Sequence, residues 1–379
     1  MSIVVVEQPL PPITVRVSNF TAPCMNSKKL DRDLSILTRF HGGYFRISLS
    51  LCSQALLWKT LRKPTTDDHA LRHIVRMLPS AAFVFLWSFA LFFLVVLCVL
   101  YAVRCLLRFD SIKAEFSHHV GVNYLFAPWI SWLLLLQCTP FLHPNDISYR
   151  LLWLVFSVPI LVLDVKIYGQ WFTEGRKYLS TAANPTSHIT VIANLVVAAT
   201  AAGMGWRESA MCVFAVGMAH YLVLFVTLYQ RFVGSDSLSP MLRPVFFLFF
   251  AAPSMASLTW DSISGTFDTT SKMLFFLSLF LFAGLVLRPT MFKRSMRRFG
   301  VAWWAYSFPL TMLALAATEY AEKVKGGVPN TMMLLLSLLS LLVTFTLVLF
   351  TILKTTHLLP YEDPFSSMPT SAHHHDLQH

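Results

Sequence analysis

Charge is scarce in this 379-residue chain. Asp, Glu, Lys and Arg make up 13% of it, against 55% hydrophobic residues. Soluble domains carry roughly a quarter charged residues, so composition overrules the two soluble domains that length alone allows. Carboxylates are scarcer still within the apolar stretches. Only Asp164 lies deep in one, and Glu319 closes another. A cation path needs inward carboxylates or carbonyl rings, and this scarcity argues against one. The six cysteines show no paired metal spacing and lie mostly inside apolar runs, so they read as buried free thiols. No metal site and no cofactor is expected. No nucleophile–base pair is visible, which argues against an enzyme. The start, Ser2-Ile3-Val4-Val5-Val6, lacks the basic flank and apolar length of a signal peptide. The net charge of +11 lies mainly in loops, where it sets topology, and no nucleic-acid partner is expected.

Long apolar runs are what the chain does have. A hydrocarbon core about 30 Å thick needs roughly 20 apolar helical residues. Ten stretches meet this: 38–58, 78–103, 120–142, 150–171, 186–205, 208–230, 243–260, 271–288, 300–318 and 330–353. The reading is an all-α integral membrane domain over 37–354, with short tails at 1–36 and 355–379. The odd-numbered stretches carry Gly42-Gly43, Pro128, Asn184-Pro185, Pro253 and Pro309, whereas among the even ones only Pro159 is interior. Breaks at membrane depth are tolerated where the freed backbone faces protein or a water-filled cavity. The odd helices are therefore expected to line a path, with kinks at Pro128, Pro253 and Pro309, and the even ones to shield them from lipid.

Small and polar residues recur at spacings of three and four on each broken stretch. The first has Gly43, Ser50 and Gln54, and the third Ala127, Ser131 and Leu134. The fifth has Ser187, Thr190, Asn194, Ala198 and Ala201. The seventh has Ser254, Ser257 and Asp261, and the ninth Ser307, Thr311, Ala314 and Thr318. Such stripes serve helix packing as well as pores. Hydroxyls and amides without charge suit weak, multiple coordination of an ion that must leave as easily as it enters. An electropositive surround favours anions. Pro309 frees the carbonyl of Ala305, and Phe308 beside it flanks the polar stripe, as a hydrophobic gate requires. Leu134 is the next candidate for that part.

Of the 30 Lys and Arg residues, 18 fall in the tails and the even-to-odd loops, which places both termini in the cytoplasm. The first external loop, with Lys59, Arg62, Lys63, Arg72 and Arg76, runs against that bias. Lys166 is near enough to a stretch end to snorkel. His220 reads as a hydrogen-bonded packing residue, and Asp164 is given no role.

The chain resembles the plant slow-type anion channels, a family related to bacterial tellurite-resistance and dicarboxylate-transporter proteins. The resemblance is carried by Leu163-Asp164-Val165-Lys166-Ile167-Tyr168-Gly169-Gln170-Trp171, Ala183-Asn184-Pro185-Thr186-Ser187-His188 and Gly217-Met218-Ala219-His220-Tyr221. Thr227-Leu228-Tyr229-Gln230-Arg231, Phe250-Ala251-Ala252-Pro253-Ser254 and Val301-Ala302-Trp303-Trp304-Ala305-Tyr306-Ser307-Phe308-Pro309 complete it. It implies five helical hairpins in a quasi-fivefold ring, odd helices inside, with a pore in each protomer of a homotrimer. It also implies a plasma-membrane conductance for chloride or nitrate, and it puts the occluding phenylalanine at Phe308. The short tails leave little room for control by phosphorylation. Two alternatives stand beside a channel. One is a non-conducting subunit that joins related channels as a heteromer. The other is a proton-coupled carrier of organic anions, which would need a titrating residue such as Asp261 or Glu319.

Overall fold

The computed structural model describes residues 40–63, 80–234, 240–293, 295 and 299–354. The tails at 1–36 and 355–379, Cys24 and most of the basic loop after the first stretch lie outside the described residues. Among the described residues, every regular element is helical. A helix sits at each of the ten apolar stretches: α1 (Phe45–Arg62), α2 (Ser80–Leu107), α3 (Ala127–Cys138), α4 (Ile147–Ala182) and α5 (His188–Gly203), then α6 (Arg207–Gly234), α7 (Leu248–Ser264), α8 (Thr269–Val286), α9 (Ser307–Val324) and α10 (Gly327–Leu353). Eight stretches are long and apolar enough to cross a membrane. α1, which carries Arg46, Lys59 and Arg62, and α7, which carries Asp261 and several hydroxyls, are not among these eight.

Sequence neighbours pair as hairpins: α1 with α2, α3 with α4, α5 with α6, α7 with α8 and α9 with α10. The odd helices also pack on one another in cyclic order. α1 meets α3, α3 meets α5, α5 meets α7, α7 meets α9, and α9 returns to α1. Burial separates the two sets. In Pro185–Gly203 and Val301–Val324, 89% of the most apolar window is buried, against 17% in Ser80–Leu107 and Thr269–Val286. The even helices bury a single stripe at helical spacing, such as Ala90, Leu94 and Leu97 of α2, or Ser271, Phe275 and Ser278 of α8. Their other faces expose Phe85, Phe92, Val99, Val162, Phe280 and Phe345. Apolar surface of this extent is what lipid covers. α4, at 36 residues, is about 54 Å long and overruns the hydrocarbon core.

Each odd helix is entered through a short, tighter segment. The 3₁₀ turn Gly42–Tyr44 leads into α1, Pro185–Ser187 into α5, Pro240–Phe247 into α7 and Val301–Tyr306 into α9. A four-residue helix, Gly121–Tyr124, precedes α3. The breaks expected from sequence therefore fall at the helix starts. Pro128 is the second residue of α3, a position where no amide hydrogen is needed. It restarts the helix after a break at Leu125–Phe126 and is not itself the kink. Pro309 is the third residue of α9, two residues past the change from 3₁₀ to α geometry, and Pro253 alone lies well inside its helix. Local signals explain the turns. Asn184 accepts the Thr186 amide hydrogen at 2.9 Å and so caps the α5 lead-in. Gly265, at φ 77°, ends α7 in the left-handed region where glycine is favoured. Asp268 then caps α8 by accepting from the Ser271 amide at 3.0 Å.

A buried ion pair fastens the α1 lead-in. Arg104 Nη1, near the end of α2, lies 2.5 Å from Glu115 Oε2, and both side chains are buried. Glu115 belongs to a short helix, Phe109–Ser117, that follows α2. Its Oε1 accepts the Gly42 amide hydrogen at 2.7 Å. A Cβ at Gly42 would lie 2.9 Å from that oxygen, and one at Gly121 would lie 2.6 Å from the Glu115 carbonyl, so neither position has room for a side chain. Removing one member of a buried pair strands the other, at a cost of about 3–5 kcal/mol. Arg104→Met should lower the thermal midpoint in detergent sharply. Adding Glu115→Leu should recover part of the loss, which a melting series on the single and double variants checks.

Candidate functional site

The lead-in segments converge on one place. A cavity of about 20 Å³ is lined by Arg46 and Leu49 of α1, Tyr124 ahead of α3, Ile189 of α5, Val245 and Leu248 at the start of α7, and Trp304, Ala305, Phe308 and Pro309 at the start of α9. Every odd helix or its lead-in contributes. The volume suffices for about one water molecule. Phe308 is 2% exposed. Arg46, Ile189, Leu248, Phe308 and Pro309 belong to the first turns of their helices, where the macrodipole presents its positive end. Arg46 sits over the Tyr124 ring, its guanidinium carbon 4.4 Å from the ring centroid.

Of the residues picked from sequence, Phe308 and Pro309 line this cavity. The others are buried elsewhere in the interior of the odd helices, except Pro128, which is half-buried. Ala127, Leu134 and Ala198 are wholly enclosed. Gly43 lies in the α1 lead-in, donating its amide hydrogen to His41 Nδ1 at 3.0 Å. The polar side chains point sideways to neighbouring helices. Ser50 donates to the Trp304 carbonyl at 3.2 Å, and Ser131 lies 3.2 Å from Ser48 across α1 and α3. Ser254 meets Ser278 of α8, and Ser257 donates to the Ser271 carbonyl at 2.7 Å. Asn194 donates to the Thr190 carbonyl at 3.2 Å and lies beside Asp164 of α4.

The densest of these contacts joins α1, α9 and α10. Gln54 Nε2 has three hydroxyl oxygens within hydrogen-bonding distance: Ser340 at 2.7 Å, Thr344 at 2.8 Å and Thr311 at 2.9 Å. Ser307 and Thr344 are 2.7 Å apart, and Thr311 and Ser340 2.9 Å apart. The α9 stripe thus faces its hairpin partner, while Phe308, about 100° further round the helix, faces the cavity.

The intramembrane ionisable residues lie away from it. Lys166 donates to the Phe116 carbonyl and sits over that residue's ring, so it ties α4 to the short helix Phe109–Ser117. His220 packs between Tyr168 and Trp171, with ring centroids 4.5 and 4.4 Å away. Among the described residues neither of its nitrogens has a hydrogen-bond partner, and aromatic packing holds the ring. Glu319 lies 3.5 Å from Lys63 near the opposite ends of α9 and α1, far along the helix from Phe308. Sequence reasoning missed Arg46 and Tyr124. A cation inside an apolar run is a signal, but helical periodicity does not tell which ring or cavity its head reaches.

The class of protein follows from these features and from comparison with known families. The model of a family described as "SLAC1: Voltage-dependent anion channel" matches residues 39–352, and the chain belongs to that family. Its members are channels, so the chain is not an enzyme. Among individual proteins, the chain is 54% identical over 334 residues to the S-type anion channel SLAH1 of Arabidopsis thaliana, covering 88% of this chain and 86% of that protein. It is also 54% identical over 326 residues to the S-type anion channel SLAH4 of the same plant, covering 86% and 87%. With the guard cell S-type anion channel SLAC1 of Arabidopsis thaliana it shares 41% over 307 residues, which is 80% of this chain but 54% of that protein.

The hydroxyl cluster on Gln54 is directly testable. Interhelical hydrogen bonds inside membranes are each worth about 0.6–1.7 kcal/mol. Gln54→Leu should therefore destabilise the protein by about 1–2 kcal/mol. Thr344→Val in the same background should cost less than it does alone, as a double-mutant cycle on detergent melting will read.

Proposed function

We propose that the protein is a slow-type channel for small monovalent anions, chloride and nitrate, with a conducting path through each protomer. Ten crossings form five hairpins in a quasi-fivefold ring, odd helices inside, and Phe308 is the plug. The observation that carries this reading is the small cavity at Phe308, to which every odd helix or its lead-in contributes. The cyclic packing of the odd helices and the lipid-ready surface of the even ones support it. So do the relatives named as S-type anion channels. Protomers assemble as a homotrimer in the plasma membrane, alone or in heteromers with related channels. Both termini and the two tails lie in the cytoplasm.

Gly43, Ser50, Ala127, Ser131, Leu134, Asn194, Ala198, Ser254, Ser257, Ser307 and Thr311 form the inner wall, setting the spacing of the helices around the path. Conduction through an apolar constriction is limited by dewetting, and the Phe308 ring fills the constriction. A channel is favoured over a proton-coupled carrier because Asp261 and Glu319 sit at the far helix ends and Glu319 is bridged to Lys63.

Two electrical predictions follow from this geometry. Phe308→Ala should give constitutive current under voltage clamp, whereas Phe276→Ala, on the outer face of α8, should leave the current unchanged. Silence of a correctly delivered Phe308→Ala protein would remove the plug from Phe308. The current should reverse at the anion equilibrium potential irrespective of external pH, with nitrate at least as permeant as chloride. Reversal that follows the proton gradient would favour a carrier instead.

A further inference from the structure

One short helix joins the membrane surface to two of the lead-ins. Phe109–Ser117 follows directly on α2, whose last residues, Leu106 and Leu107, are exposed. Lys166, close to the end of the apolar span Ile147–Trp171, donates to the Phe116 carbonyl. The short helix therefore lies level with the edge of the hydrocarbon core. Its sides differ in chemistry. Phe109, Ile112 and Phe116 recur at spacings of three and four and share one side, and Phe109 and Phe116 are 71% and 40% exposed. Arg108 and Lys113 flank that side, both exposed, and neither is in an ion pair among the described residues. Asp110, Ala114 and Ser117, also exposed, occupy the next side. Glu115 points inward, where it holds Arg104 and the Gly42 amide. Gly121, at the start of the α3 lead-in, packs so closely on the Glu115 carbonyl that no side chain fits. Gly42 and Gly121 lie about one turn before Arg46 and Tyr124, which belong to the cavity lining.

We propose that this helix lies in the cytoplasmic surface of the bilayer and binds acidic phospholipids there, so that lipid charge sets how firmly Glu115 holds the α1 lead-in. Phe109 and Phe116 sit among the acyl chains, and Arg108 and Lys113 meet the headgroups. The inference rests on the reading that both termini, and with them this end of α2, are cytoplasmic; it needs neither conduction nor a plug. An amphipathic helix seats its apolar side at the boundary of headgroups and acyl chains. The cytoplasmic leaflet carries the acidic lipids, and each Lys or Arg close to its surface gains from them. Arg108 and Lys113 are the complement of that surface, since no protein carboxylate neutralises them. A neutral lipid covers the aromatic side equally well but leaves the two cations unmatched. Lys166, resting on the Phe116 ring, fixes the far end of the helix. The helix has only nine residues, so what holds its outer side against the membrane also holds the Glu115 carboxylate in register with the Gly42 amide.

The test reads the lead-in directly. Wild-type protein is placed in nanodiscs of phosphatidylcholine, alone or mixed with phosphatidylserine, and amide hydrogen exchange is followed by mass spectrometry. Phosphatidylserine should slow exchange at the Gly42–Tyr44 turn about tenfold. High salt should erase the difference by screening. Arg108→Gln combined with Lys113→Gln should remove the response to phosphatidylserine and leave exchange in phosphatidylcholine as it was. Phe109→Ser should weaken protection in both lipids. These positions are exposed, so the variants should fold, which their melting midpoints check. Equal exchange in the two lipids, or a phosphatidylserine effect that survives high salt or the double variant, overturns the proposal. So does loss of oligomers on Phe109→Ser without any lipid response, which would make this face a contact between protomers. A nanodisc offers the same lipids on both faces, so these results do not depend on orientation. Orientation is read separately, from labelling of Ser117→Cys by a membrane-impermeant maleimide on intact cells, against the parent protein. No added labelling supports a cytoplasmic helix, and failure in the discs would then discard the lipid site alone. Added labelling would reverse the orientation and take the helix away from the acidic leaflet, overturning its regulation by lipid even where the discs respond.

Discussion

Inside a bilayer every backbone amide and carbonyl must find its partner within the protein, and the architecture depends on that constraint. Five helices here begin with 3₁₀ or otherwise broken turns, which free carbonyls that lipid cannot satisfy. They persist because five apolar helices stand outside them and because the broken ends meet one another at the centre. The shielding helices can be uniform and greasy. The shielded ones must supply small residues, prolines and the few polar groups.

Much of this was legible along the chain. Run length located the helices, because about 20 apolar residues have few other uses. The alternation of Pro and Gly located the breaks, and Pro309 and Phe308 both line the cavity where the lead-ins meet. The directions of the side chains were not legible. The periodicity of Ser307, Thr311 and Thr318 defines a face of α9, but only packing reveals that Gln54, Ser340 and Thr344 cover it. Pro128 misled for a related reason: proline breaks a helix from within and starts one from its first turn, and the sequence does not tell which. Arg46 illustrates the same limit. Its charge was visible, but the Tyr124 ring on which its head rests is a property of the folded interior.

Polar groups that turn sideways also separate two tasks. The hydroxyls hold hairpins and neighbours together, while the wall at Phe308 is apolar except for Arg46 and Tyr124. A change at the cavity thus leaves the contacts that hold the helices together in place, whereas a change in the hydroxyl clusters alters stability first.

The reach of the Gln54 amide has a consequence for the order in which the chain is built. Most of the polar contacts between inner and outer helices are local: Ser257 finds Ser271 only 14 residues away, and Ser307 finds Thr344 at 37. Such hairpins can settle as they leave the ribosome, two helices at a time. Gln54 is among the first residues to enter the bilayer, yet its partners Thr311 and Thr344 lie 257 and 290 residues later. Its amide must wait, half-satisfied, until the last hairpin has been synthesised. The closing of the first helix on the last is therefore the step that completes assembly.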